Sequence, residues 1–514
     1  MQSELPAWRK CAATVAMPAG SGPQRMNVLL ITADQWRGDC LSCVGHPAAR
    51  TPKLDRLAHD GVLFRRHFAQ ATPCGPSRAS LHTGLYAMNH RSTTNGTPLD
   101  ARHKTLASLV RAGGYDPVLF GYTDTSGDPR TLPPDSPWLR SYEGVAPGFR
   151  VELRLPEAEE PYLDYLAERG YGRRTYEEVY GGSYRKPAPF RAEDSVTAFL
   201  ASRFMSWLDG SHAEPWFAHV SFLKPHPPLV AAEPWYSAVS PRDVPSPIRS
   251  ASPETEGAMH PWLAAHLARS IDGIDRRSLL DGDDLSRLSA VYLGLVAEVD
   301  FHLGRILDHL ARRDALDRTL IVFTADHGEM LGDHWMLGKA GFFPQAFHVP
   351  LVVRLPGGGR SRRIDAFTEH VDLMPTILHA LDLAVPRQCD GRDLSEFLTD
   401  HKPASWRTAV HWEHDFRDLV AGGYEHALGL SSDECCLAAR FDGRVGYVHF
   451  AALPALCFID DPAWLHDRAQ EPGGASEVLR QAQAMLSWRM LAAERRLTGC
   501  VLTADGVLGS YDPP

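Results

Sequence analysis

Three short segments of the sequence carry side chains that could perform chemistry. They are Ala33-Asp34-Gln35, Thr72–Arg78 (TPCGPSR) and Thr324–Glu329 (TADHGE). Each one alone has an ordinary structural explanation: a helix cap, a turn with a buried thiol, and a loop that closes a strand. Because all three occur in one chain, we expect them to form a single site.

The first and third segments together favour a metal site. Asp34, Gln35, Asp326 and His327 offer three side-chain oxygens and one imidazole. Oxygen-dominated ligand sets are typical of hard divalent cations, whereas structural zinc prefers cysteine and histidine. The sequence therefore predicts a site for Ca²⁺, Mn²⁺ or Mg²⁺.

The second segment places Cys74 close to Arg78. Phosphatases with a cysteine nucleophile keep more residues between the cysteine and the arginine than the three found here. A thiol nucleophile of that kind is therefore excluded. Pro76–Leu81 has the pattern of a helix start, where free backbone N–H groups favour an anion.

Strands that end in these polar clusters would bring them together. Asn27–Asp34 and Thr319–Asp326 are apolar runs that end in acid, which is typical of buried parallel strands. In α/β folds, sites lie at the carboxyl ends of such strands. Further strands are predicted at Pro117–Tyr122, Trp216–Leu223 and Pro350–Leu355, and helices at Pro52–His59, Thr105–Ala112 and along the apolar stripe from Leu285 to Leu310.

This alternation predicts an α/β fold: a large, mainly parallel sheet sandwiched by helices, with a smaller C-terminal antiparallel sheet plus helix. Cys435–Phe441 and Arg444–Phe450 flank Asp442-Gly443, which is a strong hairpin signal. We expect a final helix over Glu477–Leu497, with Ser476 as its N-cap and Gly499 just past its end.

The predicted division of the chain has three parts. Residues 1–26 are an N-terminal extension, 27–390 a catalytic α/β domain, and 391–514 a smaller α+β domain and tail. Residues 124–195 and 224–257 are rich in Pro, Gly and charge, and we expect them to form long loops over the site.

Composition excludes several classes of protein. Lys and Arg number 53 against 63 Asp and Glu, which gives a net charge of −10 and argues against nucleic-acid binding. No apolar stretch is long enough to span a membrane. The nine scattered cysteines favour a reducing compartment, and we expect a cytoplasmic protein. Cys40-x-x-Cys43 lacks the second pair that a zinc site would need.

The segment around Cys74 resembles a known signature. Cys74, Pro76 and Arg78 fit the Cys-x-Pro-x-Arg pattern of type I sulfatases, which belong to the alkaline phosphatase superfamily. From Asn27 to about Cys500 the chain is similar to bacterial phosphonate monoester hydrolases and related arylsulfatases. This likeness includes Leu85–Arg91, Lys224–Pro228, Gly332–His334 with Lys339, Asp415–Asp418, Tyr447–Pro454 and Leu486–Arg489.

The resemblance implies a role for each matching position. Cys74 would be oxidised to Cα-formylglycine, would contact the cation and would have its hydrate held by Arg78. In the related hydrolases, the position of Asp124 usually carries threonine, so an extra carboxylate faces the substrate here. The other implied roles are metal ligands at Asp34, Gln35, Asp326 and His327, and substrate contacts at Asn95, His226, Lys339 and Tyr122.

The implied reaction is metal-dependent hydrolysis of sulfate monoesters, phosphonate monoesters or both. The formylglycine hydrate would attack sulfur or phosphorus in line, and His226 or Lys339 would protonate the departing oxygen. Both ester classes are small monoanions, and we expect Asp124 to disfavour dianionic phosphate monoesters. The resemblance also implies a formylglycine-generating enzyme or maturase as a partner, and a homo-oligomer, either dimer or tetramer.

Two alternatives stay open at this stage. A two-metal phosphatase or phosphodiesterase of the same superfamily would need a second ligand set, for which His82, His334 and His348 are candidates. A catalytically silent binding or assembly protein could keep the scaffold without turnover.

Overall fold

The computed structural model describes residues 26–156, 160–271, 276–280, 282–399, 401 and 403–509. The predicted N-terminal extension therefore lies outside the described residues, apart from Met26. The strands are β1 Asn27–Ala33, β2 Val62–Phe68, β3 Ala71–Thr72, β4 Pro117–Gly121, β5 Arg150–Arg154, β6 Phe217–Phe222, β7 Thr319–Thr324, β8 His348–Arg354, β9 Arg362–Ile364, β10 Thr368–Glu369, β11 Val410–Asp415, β12 Cys436–Phe441, β13 Val445–Phe450, β14 Leu456–Ile459, β15 Cys500–Thr503 and β16 Gly506–Gly509.

The helices cover both faces of the main sheet. The apolar residues of the longest, α11, recur at helical spacing, and its middle is enclosed on all sides, since every residue from Leu288 to Asp300 is buried. The helices are α1 Pro52–Asp60, α2 Cys74–Thr83, α3 Ala87–His90, α4 Leu106–Ala112, α5 Glu160–Leu166, α6 Tyr176–Tyr180, α7 Val196–Asp209, α8 Pro253–Gly257, α9 Pro261–Leu267, α10 Arg276–Leu280, α11 Asp283–Arg312, α12 Pro344–Phe347, α13 Leu373–Ala380, α14 Ser395–Leu398, α15 Gly423–Leu428 and α16 Gly474–Leu491.

The main sheet confirms the predicted fold class. Its order is β10-β2-β8-β7-β1-β6-β4-β5, and β9 also pairs with β2. Strand β1 lies between β6 and β7 and is parallel to both. The carboxyl ends of these central strands therefore meet at one edge, where Asp34 and Asp326 follow β1 and β7.

Other parts of the sheet differ from the prediction. Strand β8 is antiparallel to both β7 and β2. The expectation of a long loop over 124–195 is wrong in part, because β5 extends the sheet as an edge strand and α5 and α6 follow it. The exposed edge strand β5 lacks the continuous apolar run by which the central strands were recognised.

The small sheet has the order β14-β13-β12-β11-β3. The predicted hairpin is confirmed, since β12 and β13 pair across Asp442-Gly443. Its fifth strand, β3, comes from far earlier in the chain and pairs in parallel with β11. Because only Pro73 separates β3 from Cys74, the small sheet anchors the backbone that leads into the site.

The predicted final helix has the wrong bounds. The helix α16 begins at Gly474, after Gly473 with a φ of +86°, so Ser476 is not its N-cap. It ends at Leu491 because the chain then turns onto the body of the protein. There the Ala492 carbonyl accepts a hydrogen bond from Asn89, and Arg495 donates to the Cys389 carbonyl. Within the described residues, no helix combines the length and apolar character needed to cross a bilayer.

Candidate active site

Four side chains converge at the carboxyl edge of the main sheet. Asp34 follows β1, Asp326 and His327 follow β7, and Cys74 begins α2. One ligand atom from each lies within 4.8 Å of the others, and all four residues are buried. The three segments singled out in the sequence therefore form one cluster.

His327 presents an unprotonated ring nitrogen to this cluster. Its Nδ1 lies 3.1 Å from the Gly328 carbonyl oxygen, which can only accept, so Nδ1 carries the proton. Its Nε2 lies 3.2 Å from Cys74 Sγ and 3.7 Å from Asp34 Oδ1. Burial, together with the nearby Lys339 ammonium, lowers the pKa of His327 to about 3. The ring is therefore in its neutral, metal-ligating form.

Arg78 lies behind the carboxylates and is 1% exposed. Its Nε donates to Asp326 Oδ2 at 2.9 Å, and one terminal nitrogen donates to Asp34 Oδ2 at 3.1 Å. The other donates to the Ser221 hydroxyl at 2.8 Å and the Tyr122 carbonyl at 3.1 Å. All three guanidinium nitrogens of Arg78 therefore donate hydrogen bonds to acceptors within the protein.

The two carboxylates are crowded together. Burial and the neighbouring Asp34 charge raise the pKa of Asp326 to about 7. Although burial alone would raise the pKa of Asp34, nearby cationic groups, including Lys339 and Arg78, hold it well below its usual range. The Tyr122 hydroxyl also donates to Asp34 Oδ2 at 2.6 Å. Asp34 is therefore fixed in position as an anion.

Hydrogen bonds fix both the backbone and the side chain of Gln35. Its backbone adopts a left-handed conformation with φ +64°, and its N–H donates to Asp326 Oδ1 at 3.0 Å. Its side-chain nitrogen donates to Glu329, while its side-chain oxygen accepts from Lys339 Nζ at 2.7 Å. The Tyr292 hydroxyl donates to its carbonyl at 2.7 Å. Glu329 thereby turns the amide oxygen of Gln35 toward the site.

Lys339 and His226 form a contact at the mouth of the site. Lys339 Nζ lies 2.9 Å from His226 Nε2, and His226 Nδ1 lies 2.6 Å from the Pro227 carbonyl oxygen. The Pro227 carbonyl requires a proton on Nδ1, so the neutral ring accepts from Lys339. Burial and Lys339 lower the pKa of His226 to about 3. Although burial alone would lower the pKa of Lys339, the nearby Asp34 and Asp326 carboxylates raise it.

The remaining predicted residues, Asn95 and Asp124, lie near the start of α2. Asn95 is exposed, and its Oδ1 accepts from the Gly75 N–H at 2.9 Å. Asp124 is 8% exposed, has a φ of +45°, and its Oδ2 lies 3.8 Å from Arg78 Nε. Burial raises the pKa of Asp124 to about 8, although Arg78 acts against this shift. All eleven predicted residues therefore belong to one connected arrangement, and their chemical roles stay predictions.

The potential ligand atoms of this cluster fit a divalent cation. Asp34 Oδ1 is buried without a hydrogen-bond partner, and it faces the same space as His327 Nε2. Buried polar atoms are normally satisfied, so an unpartnered carboxylate oxygen favours a ligand at this point. A cation would also offset the repulsion between Asp34 and Asp326.

Three residues to which the sequence assigned no role support the site. Glu329 orients Gln35, and its Oε1 accepts from the Gly338 N–H at 2.6 Å. Ser221 is a partner of Arg78, and Thr72 Oγ1 lies 3.1 Å from His414 Nδ1 in the small sheet. In the sequence, only their positions could have identified these residues. Glu329 ends the Asp-His-Gly segment, and Ser221 lies at the end of an apolar run.

The α/β fold and the buried cluster at Cys74 agree with a match between this sequence and the model of a protein family. The model of the sulfatase family matches residues 26–383. The chain therefore belongs to the sulfatase family, and the resemblance inferred from the Cys74 signature is confirmed.

Comparison with individual proteins shows which members of the family this chain resembles. A multifunctional alkaline phosphatase superfamily protein, PehA, from Trinickia caryophylli is 40% identical over 503 residues, which is 92% of this chain and 97% of that protein. An arylsulfatase from Clostridium perfringens is 26% identical over 409 residues, or 76% of this chain and 82% of that protein. The crystal structure of a phosphonate monoester hydrolase from Agrobacterium radiobacter superposes with a TM-score of 0.91 at 46% identity, covering 95% of this chain and all of that chain (100%).

Proposed function

We propose that this protein is a metal-dependent hydrolase that cleaves sulfate monoesters, phosphonate monoesters or both, with residue 74 as a formylglycine. The observation that carries the proposal is the buried cluster of Asp34, Cys74, Asp326 and His327 at the start of α2. The family membership and the similarity to a phosphonate monoester hydrolase and an arylsulfatase support it.

One divalent cation, Ca²⁺ or Mn²⁺ in the first place and Mg²⁺ in the second, would be held by Asp34, Gln35, Asp326, His327 and residue 74. Hard cations prefer these oxygen ligands. When bound, such a cation supplies Lewis acidity that favours an ionised oxygen on the nucleophile and offsets charge on the transferring group.

Cys74 would be converted to formylglycine by a formylglycine-generating enzyme or maturase. One oxygen of the aldehyde hydrate would replace the thiol sulfur on the same Cβ atom. A hydrated aldehyde supplies a nucleophilic oxygen and a second hydroxyl through which the product can leave, which a plain thiol cannot do. Every residue of α2 is buried, including Cys74 at its start, so bulk water has little access to residue 74.

The side chains at the mouth would bind the ester and move the proton. Lys339 carries a positive charge next to Gln35 and His226, and it can offset charge on the transferring sulfuryl or phosphonyl group. The His226–Lys339 pair shares a proton across its 2.9 Å contact and can donate it to the departing oxygen. Arg78 balances Asp34 and Asp326 from behind, which keeps both carboxylates available as ligands.

The substrate would be a small monoanion. Asp124 adds a third carboxyl group beside Asp34 and Asp326, next to Arg78. Burial raises the pKa of Asp124 to about 8, but a cation bound beside it would favour its ionised form, and the ionised carboxylate would disfavour dianionic phosphate monoesters. Asp124 would therefore act in substrate selection, at the position where related hydrolases carry threonine.

A two-metal phosphatase is the weaker candidate. Its second ligand set would have drawn on His82, His334 and His348. Instead, His334 Nδ1 lies 2.6 Å from Glu256, and His348 Nε2 lies 2.9 Å from the Arg65 carbonyl. Across the part of the chain that the structure describes, one group of suitable ligands was found, the cluster at Cys74.

The proposal extends to assembly and location. Helix α16 and the β15–β16 hairpin expose a set of large apolar side chains, which a homo-oligomeric contact in a dimer or tetramer would cover. The scattered free cysteines suit a reducing compartment such as the cytoplasm. The exposed apolar residues are Leu479, Leu486, Met490, Leu491, Val501, Leu502 and Leu508.

Three measurements on one preparation test the proposal. The mass of the peptide that carries residue 74 should show an aldehyde in place of the thiol, metal analysis should find one divalent cation per chain, and an aryl sulfate or aryl phosphonate ester should be hydrolysed. An active preparation with an unmodified thiol would contradict the assigned nucleophile. A metal-loaded, aldehyde-bearing preparation without turnover would favour a silent scaffold.

A further inference from the structure

The loop that carries His226 has few hydrogen-bond donors of its own. It leaves β6 at Phe222 and runs through Pro225-His226-Pro227-Pro228. Proline has no N–H, so His226 provides the single backbone donor of this four-residue stretch, and it donates to the Leu223 carbonyl at 3.1 Å. The Pro228 carbonyl accepts from the Val230 N–H at 2.9 Å, and further donors to the carbonyl groups of the stretch must come from side chains.

Lys224 supplies them. Its side chain folds back under the loop, and Nζ donates to the His226 carbonyl at 3.2 Å and to the Pro228 carbonyl at 3.0 Å. Lys224 is 2% exposed, and its ammonium lies 5.2 Å from the centre of the Tyr180 ring. The buried Glu298 carboxyl is close enough for the Lys224 charge to lower its pKa, although burial dominates and raises that pKa to about 7.

The far end of the loop is anchored separately. Val230 and Ala232 pack in a small apolar cluster with Tyr162, Tyr180 and Phe199, and the Ala188 N–H donates to the Ala231 carbonyl at 2.8 Å. Strand β6 fixes the near end. Lys224 therefore acts on the stretch between two rigid anchors, where the backbone turns.

The ring of His226 is oriented by this same backbone. Its Nδ1 binds the Pro227 carbonyl, which lies between the two carbonyl groups that Lys224 holds. Its Nε2 then reaches Lys339. A shift of the turn would carry the Pro227 carbonyl with it and would misalign Nε2.

We propose that Lys224 is a positioning residue for proton donation to the leaving group: by binding the carbonyl groups of His226 and Pro228, it fixes the turn that aims His226 Nε2 at Lys339. This inference rests on the proposed function. Lys224 itself need not contact the substrate or the cation.

The test compares two aryl esters of the same acid that differ in leaving group. A 4-nitrophenyl ester releases a stable anion and needs little protonation, whereas a phenyl ester needs a proton in the transition state. Lys224→Met removes both donors at similar side-chain length. We expect kcat for the phenyl ester to fall by roughly tenfold to a hundredfold, toward the range for loss of general-acid catalysis. The 4-nitrophenyl ester should lose about threefold or less, with KM nearly unchanged for both.

Removal of Lys224 leaves Glu298 buried without a cationic neighbour, so the single variant could fold poorly. The double variant Lys224→Met/Glu298→Gln removes that cost, and Glu298→Gln alone is its matched control. The selective loss on the phenyl ester should occur in the double variant and be absent from the control.

Equal losses on both esters in the double variant would overturn the positioning role, because damage to the fold does not distinguish leaving groups. A selective loss in the Glu298→Gln control would also overturn it. A wild-type enzyme that hydrolyses neither ester would overturn the proposed function itself, and this inference with it.

Discussion

The imidazole of His226 accepts a hydrogen bond from the ammonium of Lys339, with 2.9 Å between Nε2 and Nζ. One partner comes from the proline-rich loop after β6 and the other from the segment before α12. The contact holds a proton at the mouth of the site, while Asp34, Asp326 and His327 lie fully buried beneath it.

Replacement of His226 by Asn should slow hydrolysis of esters with poor leaving groups. The amide cannot carry a proton between Lys339 and the departing oxygen, so kcat for a phenyl ester should fall by about 10²-fold or more. Kinetics with phenyl and 4-nitrophenyl esters measure the effect. The exposed His466→Asn is the control, and equal loss on both esters would argue against a proton-donating role.

Replacement of Cys74 by Ala should abolish turnover and leave the fold intact. The thiol is buried, and removal of one small side chain at the start of α2 costs little packing. Activity with an aryl sulfate and the thermal unfolding temperature are the two measurements. Residual activity close to wild type in the Ala variant would show that residue 74 is not the nucleophile.

Replacement of Glu329 by Gln should weaken metal binding. The amide nitrogen of Gln35 donates to Glu329, so a neutral partner would let Gln35 turn its oxygen away from the site. Loss of such supporting contacts typically costs about 10–100-fold in metal affinity. Titration of the metal-free protein with Mn²⁺ or Ca²⁺ measures this, with the exposed Glu471→Gln as control; unchanged affinity would mean that Glu329 is purely structural.

Replacement of Asp124 by Thr should raise activity on phosphate monoesters relative to sulfate monoesters. A bound cation would favour the ionised form of Asp124, and removal of that charge would leave Arg78 with one fewer negative neighbour and increase the positive potential offered to a dianion. The ratio of kcat/KM for an aryl phosphate and an aryl sulfate is the measurement. An unchanged ratio would contradict the role of Asp124 in selection.

Stability should fall as the pH drops below about 6.5, because several histidines are buried in neutral form. For His82, burial and the Arg78 charge lower the pKa to about 3, and both ring nitrogens lack hydrogen-bond partners. Between pH 3 and pH 6.5 the unfolded chain binds a proton that the folded chain does not, so stability is present above this window and is lost as the pH falls through it. Each such group contributes about 1.4 kcal/mol per pH unit.

The His82→Phe variant isolates this effect. Its ring would replace the imidazole against Phe149 and His219 without a titratable group. Urea unfolding at pH 7 and pH 5 should show a smaller loss of stability for the variant than for the wild type. The same pH dependence in both proteins would mean that His82 is protonated in the folded state.

The residues that the sequence identified share local signatures. Asp34 and Asp326 each end an apolar run of strand length, and parallel strands must bring such ends to one edge of a sheet. The Cys74 signature, the oxygen-rich ligand types and the Asp442-Gly443 hairpin were equally readable, since each depends on a few adjacent residues.

Only the tertiary structure decided which distant groups meet. Nothing local in the sequence pairs β3 with β11, sets Glu329 on Gln35, or brings Lys339 to His226. These contacts arise where the chain packs back on itself and buried polar groups must find partners. A sequence pattern determines which side chains one element presents, whereas the packing of many elements determines which of those side chains touch.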